Sequence, residues 1–112
     1  MPSTEEILAE RAKTHGDFPS TAHTIQTLKF YVRGHEGWNR LNSAQQESLE
    51  MILHKIGRIL EGNPNVEDHW DDIAGYAKLV SKMLEQASAM AKSIKLDNPS
   101  NRPDGITPIG RR

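Results

Sequence analysis

Residues 47–76 read ESLEMILHKIGRILEGNPNVEDHWDDIAGY and carry most of the chain's structural and chemical signals. Apolar residues recur at helical spacing on both sides of the breaker run GNPN at 62–65. The stretch therefore predicts two helices joined by a short connection. Such a connection favours antiparallel packing of the two helices, which would form half of a helical bundle.

Two further helices are predicted before this pair. Ser3 and Glu6 have the spacing of a capping box that opens the first helix. Gly16 and Pro19 mark a turn into the second helix, and Asp17 is placed to cap it. A second capping box begins at Ser43 and opens the third helix. The predicted helices are 3–13, 19–33, 43–61 and 66 to 91 or a little beyond, with a loop at 34–42.

No segment has the alternating pattern of a β-strand, so the fold class predicted is an all-α four-helix bundle. Residues 97–112, DNPSNRPDGITPIGRR, are rich in Pro, Gly, Asn and Ser and lack an apolar period. They predict a flexible tail. The expected organisation is one helical domain at 1–96 followed by a tail at 97–112.

Composition excludes several classes of protein. A formal charge of -1 argues against general nucleic-acid binding. No segment approaches the ~20 apolar residues of a membrane span. The absence of cysteine suits a reducing compartment, and the amino terminus lacks the apolar region of a signal peptide. We expect a cytoplasmic protein, in the host cell if a phage encodes it.

Charged residues form a stripe along one side of the third helix. Its members are Glu47, Glu50, His54, Arg58 and Glu61, opposite the apolar positions. One interpretation is a solvated face with ion pairs. The other is a binding site. His54 would then be a metal ligand or a base, whereas the alternative for this residue is a hydrogen-bonded surface or core histidine.

Carboxylates also lie near the start of the fourth helix, at Asp68, Asp71 and Asp72. They either cap that helix or converge on the acids of the third helix. Two or three carboxylates suffice for Mg²⁺, which keeps waters and leaves room for phosphates. Lys55 and Arg58 would then meet phosphate oxygens.

Three neighbouring residues have two interpretations each. Trp70 is predicted to be a core anchor rather than a platform for base stacking. Gly75 costs about 1 kcal/mol inside a helix, which suggests close approach by another helix or a ligand. Tyr76 either packs or offers its hydroxyl to a substrate.

Several strings in this chain resemble a small all-α domain of unknown function that is common in phage and prophage genomes. They are ER at 10–11, THGDF at 14–18, LEMI at 49–52, KIGRI at 55–59, GNPN at 62–65 and DHWDDIAGYA at 68–77. That domain is similar to the nucleotide-modification-associated domains. It is more distantly similar to the all-α nucleoside triphosphate pyrophosphohydrolases, MazG-like and dimeric dUTPase-like. The resemblance covers about residues 4–85.

The distant resemblance implies a MazG-like bundle with a Mg²⁺ site built from two pairs of acids. Glu47 and Glu50 match the first pair, and would be the catalytic and metal-binding residues. The second pair is matched imperfectly: His69 stands where Glu is expected three residues before Asp72, and Asp68 and Asp71 have the spacing with Asp in place of Glu. Metal ligands there are Asp68 and Asp72, with Asp71 open as an alternative. Substrate-binding residues implied are Lys55, Arg58, Arg11 and Tyr76, with Glu10 and the turn at 15–18 bordering the same cleft.

Two functions follow as hypotheses. The first is a Mg²⁺-dependent hydrolase that releases a monophosphate and pyrophosphate from (deoxy)nucleoside triphosphates in phage nucleotide metabolism. The second is a binding protein of the same fold that holds a nucleotide or a host protein without turnover. Because the core is small and the fourth helix is apolar or small over much of its circumference, we also predict a homo-oligomer, a dimer or a tetramer.

Overall fold

The computed structural model describes residues 1–97. This part of the chain contains four α-helices, one 3₁₀ helix and no β-strand, which confirms the all-α prediction. Asp97 ends the last helix, and the remainder of the predicted tail lies outside the described residues. The α-helices are α1 (Thr4–His15), α2 (Phe18–Arg33), α3 (Ser43–Glu61) and α4 (Glu67–Asp97).

Local capping explains where the first helices begin. Ser3 and Glu6 form the predicted capping box of α1. Asp17 accepts a hydrogen bond from the Ser20 N–H and caps α2, also as predicted. The box of α3 lies one residue earlier than predicted, because Asn42 rather than Ser43 is the N-cap. Asn and Ser are both good caps, so the sequence alone allowed either.

The segment between α2 and α3 differs from the loop that was predicted. Residues Glu36–Arg40 form a 3₁₀ helix. His35 caps it by accepting the Gly37 N–H through Nδ1 at 2.9 Å. Short 3₁₀ turns are common connectors, and they have no apolar period of their own by which a sequence would reveal them.

Helices α2 and α3 pack closely where Ile25 meets Gly57. A Cβ added at Gly57 would overlap Ile25 Cγ1, so this glycine is what allows the two helices to approach. Ile25 is the one buried hydrophobic residue within the part of the chain described. The core is therefore small, as the composition indicated.

The first part of α4 runs antiparallel to α3. Ser48 Oγ donates to the Tyr76 carbonyl at 2.8 Å, and Lys55 Nζ lies 2.9 Å from Asp72 Oδ2. Residue numbers therefore rise along α3 as they fall along α4, which confirms the predicted antiparallel orientation. Met1–Val80 form one compact unit, and the described residues from Ser81 onward belong to a second.

One prediction about α4 was wrong, and another is not met by contacts within the single chain. Trp70 is not a core anchor, because it is 54% exposed; its Nε1 donates to the Pro64 carbonyl at 2.7 Å and holds the connection before α4. Gly75 is not a point of close approach in the single chain, since an added Cβ would meet nothing within 4 Å. Between residues 1 and 97, none of the helices has the length and apolarity needed to cross a bilayer.

Candidate functional site

A cavity of about 580 Å³ opens between α1, α2 and α3. This volume falls within the range of small-molecule sites, about 300–1,000 Å³. One part of its wall is apolar and another is polar, the combination that orients a ligand. Its lining consists of Leu8, Arg11, Ala12, His15, Gly16, Asp17, Phe18, Thr21, Ala22, Ile25, Gln26, His54 and Arg58.

The polar wall is predominantly cationic. Arg11 comes from α1 and Arg58 from α3, so two helices each bring one guanidinium to the same space. Asp17 is the single carboxylate of the lining, and it already accepts the Ser20 N–H at 3.2 Å. Guanidinium groups stay charged at any physiological pH and bind phosphate by a bidentate fork. The wall is thus suited to an anion.

Hydrogen bonds fix the roles of the two histidines in this cavity. The Thr14 hydroxyl donates to the Arg11 carbonyl at 3.1 Å, so His15 Nδ1, which contacts the same oxygen, is the donor in that pair. Neutral His15 then has a free acceptor at Nε2. His54 is the reverse case, because its Nε2 accepts from Lys29 Nζ at 3.0 Å. Its proton is therefore on Nδ1.

The surroundings of both rings favour the neutral form. Burial lowers the pKa of His15 below its ordinary value, and the nearby Arg58 lowers it further. Burial likewise lowers the pKa of His54, with Lys29 as the next cause. An anion placed in the cavity would offset these positive neighbours and favour protonation of both rings.

Three of the five members of the charged stripe of α3 contact α2, namely Glu50, His54 and Glu61, whereas Glu47 is exposed. The Glu50 carboxylate accepts hydrogen bonds from Arg33 Nε at 2.8 Å and from Arg33 Nη2 at 2.7 Å. Lys29 Nζ lies 3.7 Å from Glu50 Oε1. Further along, Glu61 accepts the Thr24 hydroxyl at 2.6 Å. The stripe is thus a polar helix–helix interface, an alternative that the sequence pattern did not suggest.

The predicted acids of α3 and α4 do not converge. Glu50 is neutralised by Arg33 and Lys29, and Arg33 holds the pKa of the Glu50 carboxyl below its ordinary value. Asp72 is paired with the largely buried Lys55, which lowers the pKa of Asp72. The remaining two predicted ligands, Glu47 and Asp68, are exposed.

A divalent cation does not fit this arrangement. Across residues 1–97, the His, Asp and Glu side chains form no group of three or more that could hold a metal ion. Mg²⁺ needs carboxylates that are free to bind it, whereas Glu50 and Asp72 are each occupied by a lysine or arginine.

The structure divides the predicted substrate-binding residues into two groups. Arg11 and Arg58 line the cavity, together with the turn at 15–18. Lys55 and Tyr76 are not among the lining residues; they join α3 to α4. Glu10 is also outside the lining and pairs with Lys13 on the exposed side of α1.

In the sequence, His69 stands out only because it departs from the enzyme motif. In the structure it is the most deeply buried polar residue of the described chain, at 2% exposure. Its Nε2 donates to the Thr14 carbonyl at 3.0 Å, which also accepts the Asn63 N–H at 3.1 Å. Its ring meets His15 edge-on, with centroids 5.0 Å apart. His69 thus fixes α4 against the helix end that carries His15.

Two glycines make that junction possible. Gly16 has a φ of 84°, in the region that favours glycine, and a Cβ there would overlap the Glu61 backbone. A Cβ at Gly62 would overlap the Thr14 carbonyl oxygen. Each was predicted to end a helix; their packing against the opposite turn is a tertiary feature that the sequence did not reveal.

A family model described as Domain of unknown function (DUF6378) matches residues 2–84, and the chain belongs to this family. The matched region includes α1, α2, α3 and the first part of α4, and therefore the whole lining of the cavity. Comparison with curated proteins and with solved structures gave no match.

Proposed function

We propose that the DUF6378 domain of this chain binds a phosphorylated small molecule, with a nucleotide as the expected ligand, in the cavity between α1, α2 and α3. The observation that carries this proposal is the pairing of Arg11 and Arg58 in one cavity of nucleotide size. The two guanidinium groups would bind the phosphate by bidentate hydrogen bonds. Neutral His54 would supply a hydrogen-bond donor nearby, and neutral His15 an acceptor.

The other wall favours a ligand with an apolar or aromatic part. Leu8, Phe18 and Ile25 contribute hydrocarbon to the cavity, and Gln26 offers both an amide donor and an acceptor. A base or sugar could occupy that side while the phosphate meets the arginines. The choice of a nucleotide rests on the sequence resemblance to nucleotide-modification-associated and MazG-like domains.

Thermal melting with a ligand panel tests binding. Inorganic phosphate, nucleosides, nucleoside mono- and triphosphates would be compared, since a ligand at 100 times its Kd stabilises by about 2.7 kcal/mol. We expect the phosphorylated nucleotides to raise Tm more than the nucleosides. Arg58→Gln and Arg11→Gln should each weaken binding by about 10-fold or more, the worth of one charged hydrogen bond.

Arg40→Gln is the matched control, because Arg40 is exposed on the 3₁₀ helix and outside the cavity lining. If the control weakens binding as much as Arg58→Gln, the contact is general electrostatics and the site is not this cavity. If no phosphorylated ligand raises Tm, the proposal is wrong, and a role in binding a host protein would remain.

Mg²⁺-dependent hydrolysis of nucleoside triphosphates stays a prediction. It would require Glu50 and Asp72 to exchange their pairs with Arg33 and Lys55 for a metal ion. Pyrophosphate release with Mg²⁺ or Mn²⁺ measures it directly. Because Glu50→Gln also breaks the α2–α3 contact, Arg33→Gln must accompany it. Loss of turnover in Glu50→Gln alone would support a metal ligand, and equal loss in both would indicate only a structural pair.

A further inference from the structure

The second part of α4 exposes a long apolar face. From Ser81 to Lys95 every described residue is exposed. The large apolar side chains among them are exposed by about half or more of their surface: Met83 47%, Leu84 53%, Met90 64% and Ile94 62%. A row of such residues along one helix exceeds the scattered apolar residues of an ordinary monomer surface.

The spacing of these residues is that of a coiled-coil seam. Apolar or small residues recur at alternating intervals of three and four over three heptads, and this is the a/d pattern with which helices pair. The positions are Ile73, Tyr76, Val80, Met83, Ala87, Met90 and Ile94.

The positions that flank the seam are also uncharged. In the usual heptad the e and g positions carry charges that select a partner, but here they are Ala77, Leu79, Leu84, Gln86, Ala91 and Ser93 in the part from Ala77 to Ser93. The charged residues Lys78, Lys82, Glu85, Lys92 and Lys95 all lie at b, c or f positions, away from the seam. Two identical copies can therefore approach without bringing like charges together.

We propose that a second copy of this chain covers the apolar face of α4, through the same face of its own α4. A self-complementary face of this kind forms an isologous two-fold contact. The exposed part of the seam, from Met83 to Ile94, covers about three helical turns, with an apolar stripe widened by the flanking positions. It would offer the second copy the hydrophobic burial that the small core of the single chain does not supply.

A matched pair of substitutions tests this interface. Ala87 lies at an a position of the seam and Ala89 at a c position, about 200° away around the helix. We expect light scattering of the full chain at micromolar concentration to give a mass of at least twice 12.6 kDa. Ala87→Glu should lower the mass to that of a monomer, and Ala89→Glu should leave it unchanged. Leu84→Glu, at the seam's edge, should also reduce it.

Cysteine cross-linking is an independent readout that does not depend on a destabilised variant. The chain has no cysteine, so a single introduced one has only its copy in a second chain as partner. Mild oxidation should link Ala87→Cys into a covalent dimer and leave Ala89→Cys largely unlinked. A mass near 12.6 kDa for the unmodified chain, or equal behaviour of the 87 and 89 variants in both assays, would overturn the proposal.

Discussion

The two parts of α4 are stabilised in different ways. Between Glu67 and Val80 the helix is held by specific polar contacts: the buried His69, the Asp72–Lys55 pair and the Ser48–Tyr76 hydrogen bond. From Ser81 onward it has an apolar face and no buried residue through Lys95. One continuous helix therefore has a first part that contacts its own chain and a second part whose exposed face we propose a second copy covers.

The largest effect is expected at His69. His69→Ala would remove a buried ring and the hydrogen bond to the Thr14 carbonyl, at a cost of about 2–4 kcal/mol in the free energy of unfolding. In a domain of this size that lowers Tm by about 10 °C or more. His23→Ala, at an exposed position of α2, should shift Tm by no more than a degree or two. Comparable shifts in the two variants would show that His69 does not anchor α4.

The sequence predicts local features of this fold, but not the tertiary contacts of side chains such as His69. Capping residues and apolar spacing predicted four helices, the turn at Gly16 and the antiparallel α3–α4 pair, because these depend on neighbours in the chain. The partners of Glu50 and Asp72 depend on which helix each side chain meets. Arg33 and Lys29 lie on α2, far from Glu50 in the sequence, so the charged spacing of α3 predicts the stripe but not its contact with α2.

Gly57 and Gly75 offer the next comparison, since both lie inside helices and differ in their surroundings. Gly57→Ala should destabilise by about 1–3 kcal/mol, because its Cβ would overlap Ile25 where α2 meets α3. Gly75→Ala should instead stabilise by about 1 kcal/mol through helix propensity, since nothing lies near its Cβ. Urea unfolding measures both. Destabilisation by Gly75→Ala would mean that a second chain or a ligand approaches there.

A smaller effect is expected from the hydrogen bond between α3 and the first part of α4. Ser48→Ala removes the donor to the Tyr76 carbonyl and should cost about 1 kcal/mol. Ser81→Ala, at an exposed position just beyond Val80, should have little effect on urea unfolding. If both variants unfold at the same urea concentration as the unmodified chain, polar contacts do not distinguish the two parts of α4.

The smallest effect concerns pH, because His15 and His54 are only partly buried. Burial and nearby cations lower the pKa of each ring in the folded chain, while the unfolded chain has the ordinary value of about 6.5. Below about pH 6.5 the unfolded chain binds protons at these rings that the folded chain does not. The stability contributed by the two neutral rings is therefore fully present above about pH 7 and declines as the pH falls from about 6.5 towards the folded pKa values. We expect Tm to fall between pH 7 and pH 5.5. In His15→Gln and His54→Gln the slope of Tm against pH should be shallower, whereas His23→Gln should keep the slope of the unmodified chain.

A bound phosphorylated ligand should also reduce this slope, because it favours protonation of the same two rings. An unchanged slope with the ligand present would place the phosphate elsewhere.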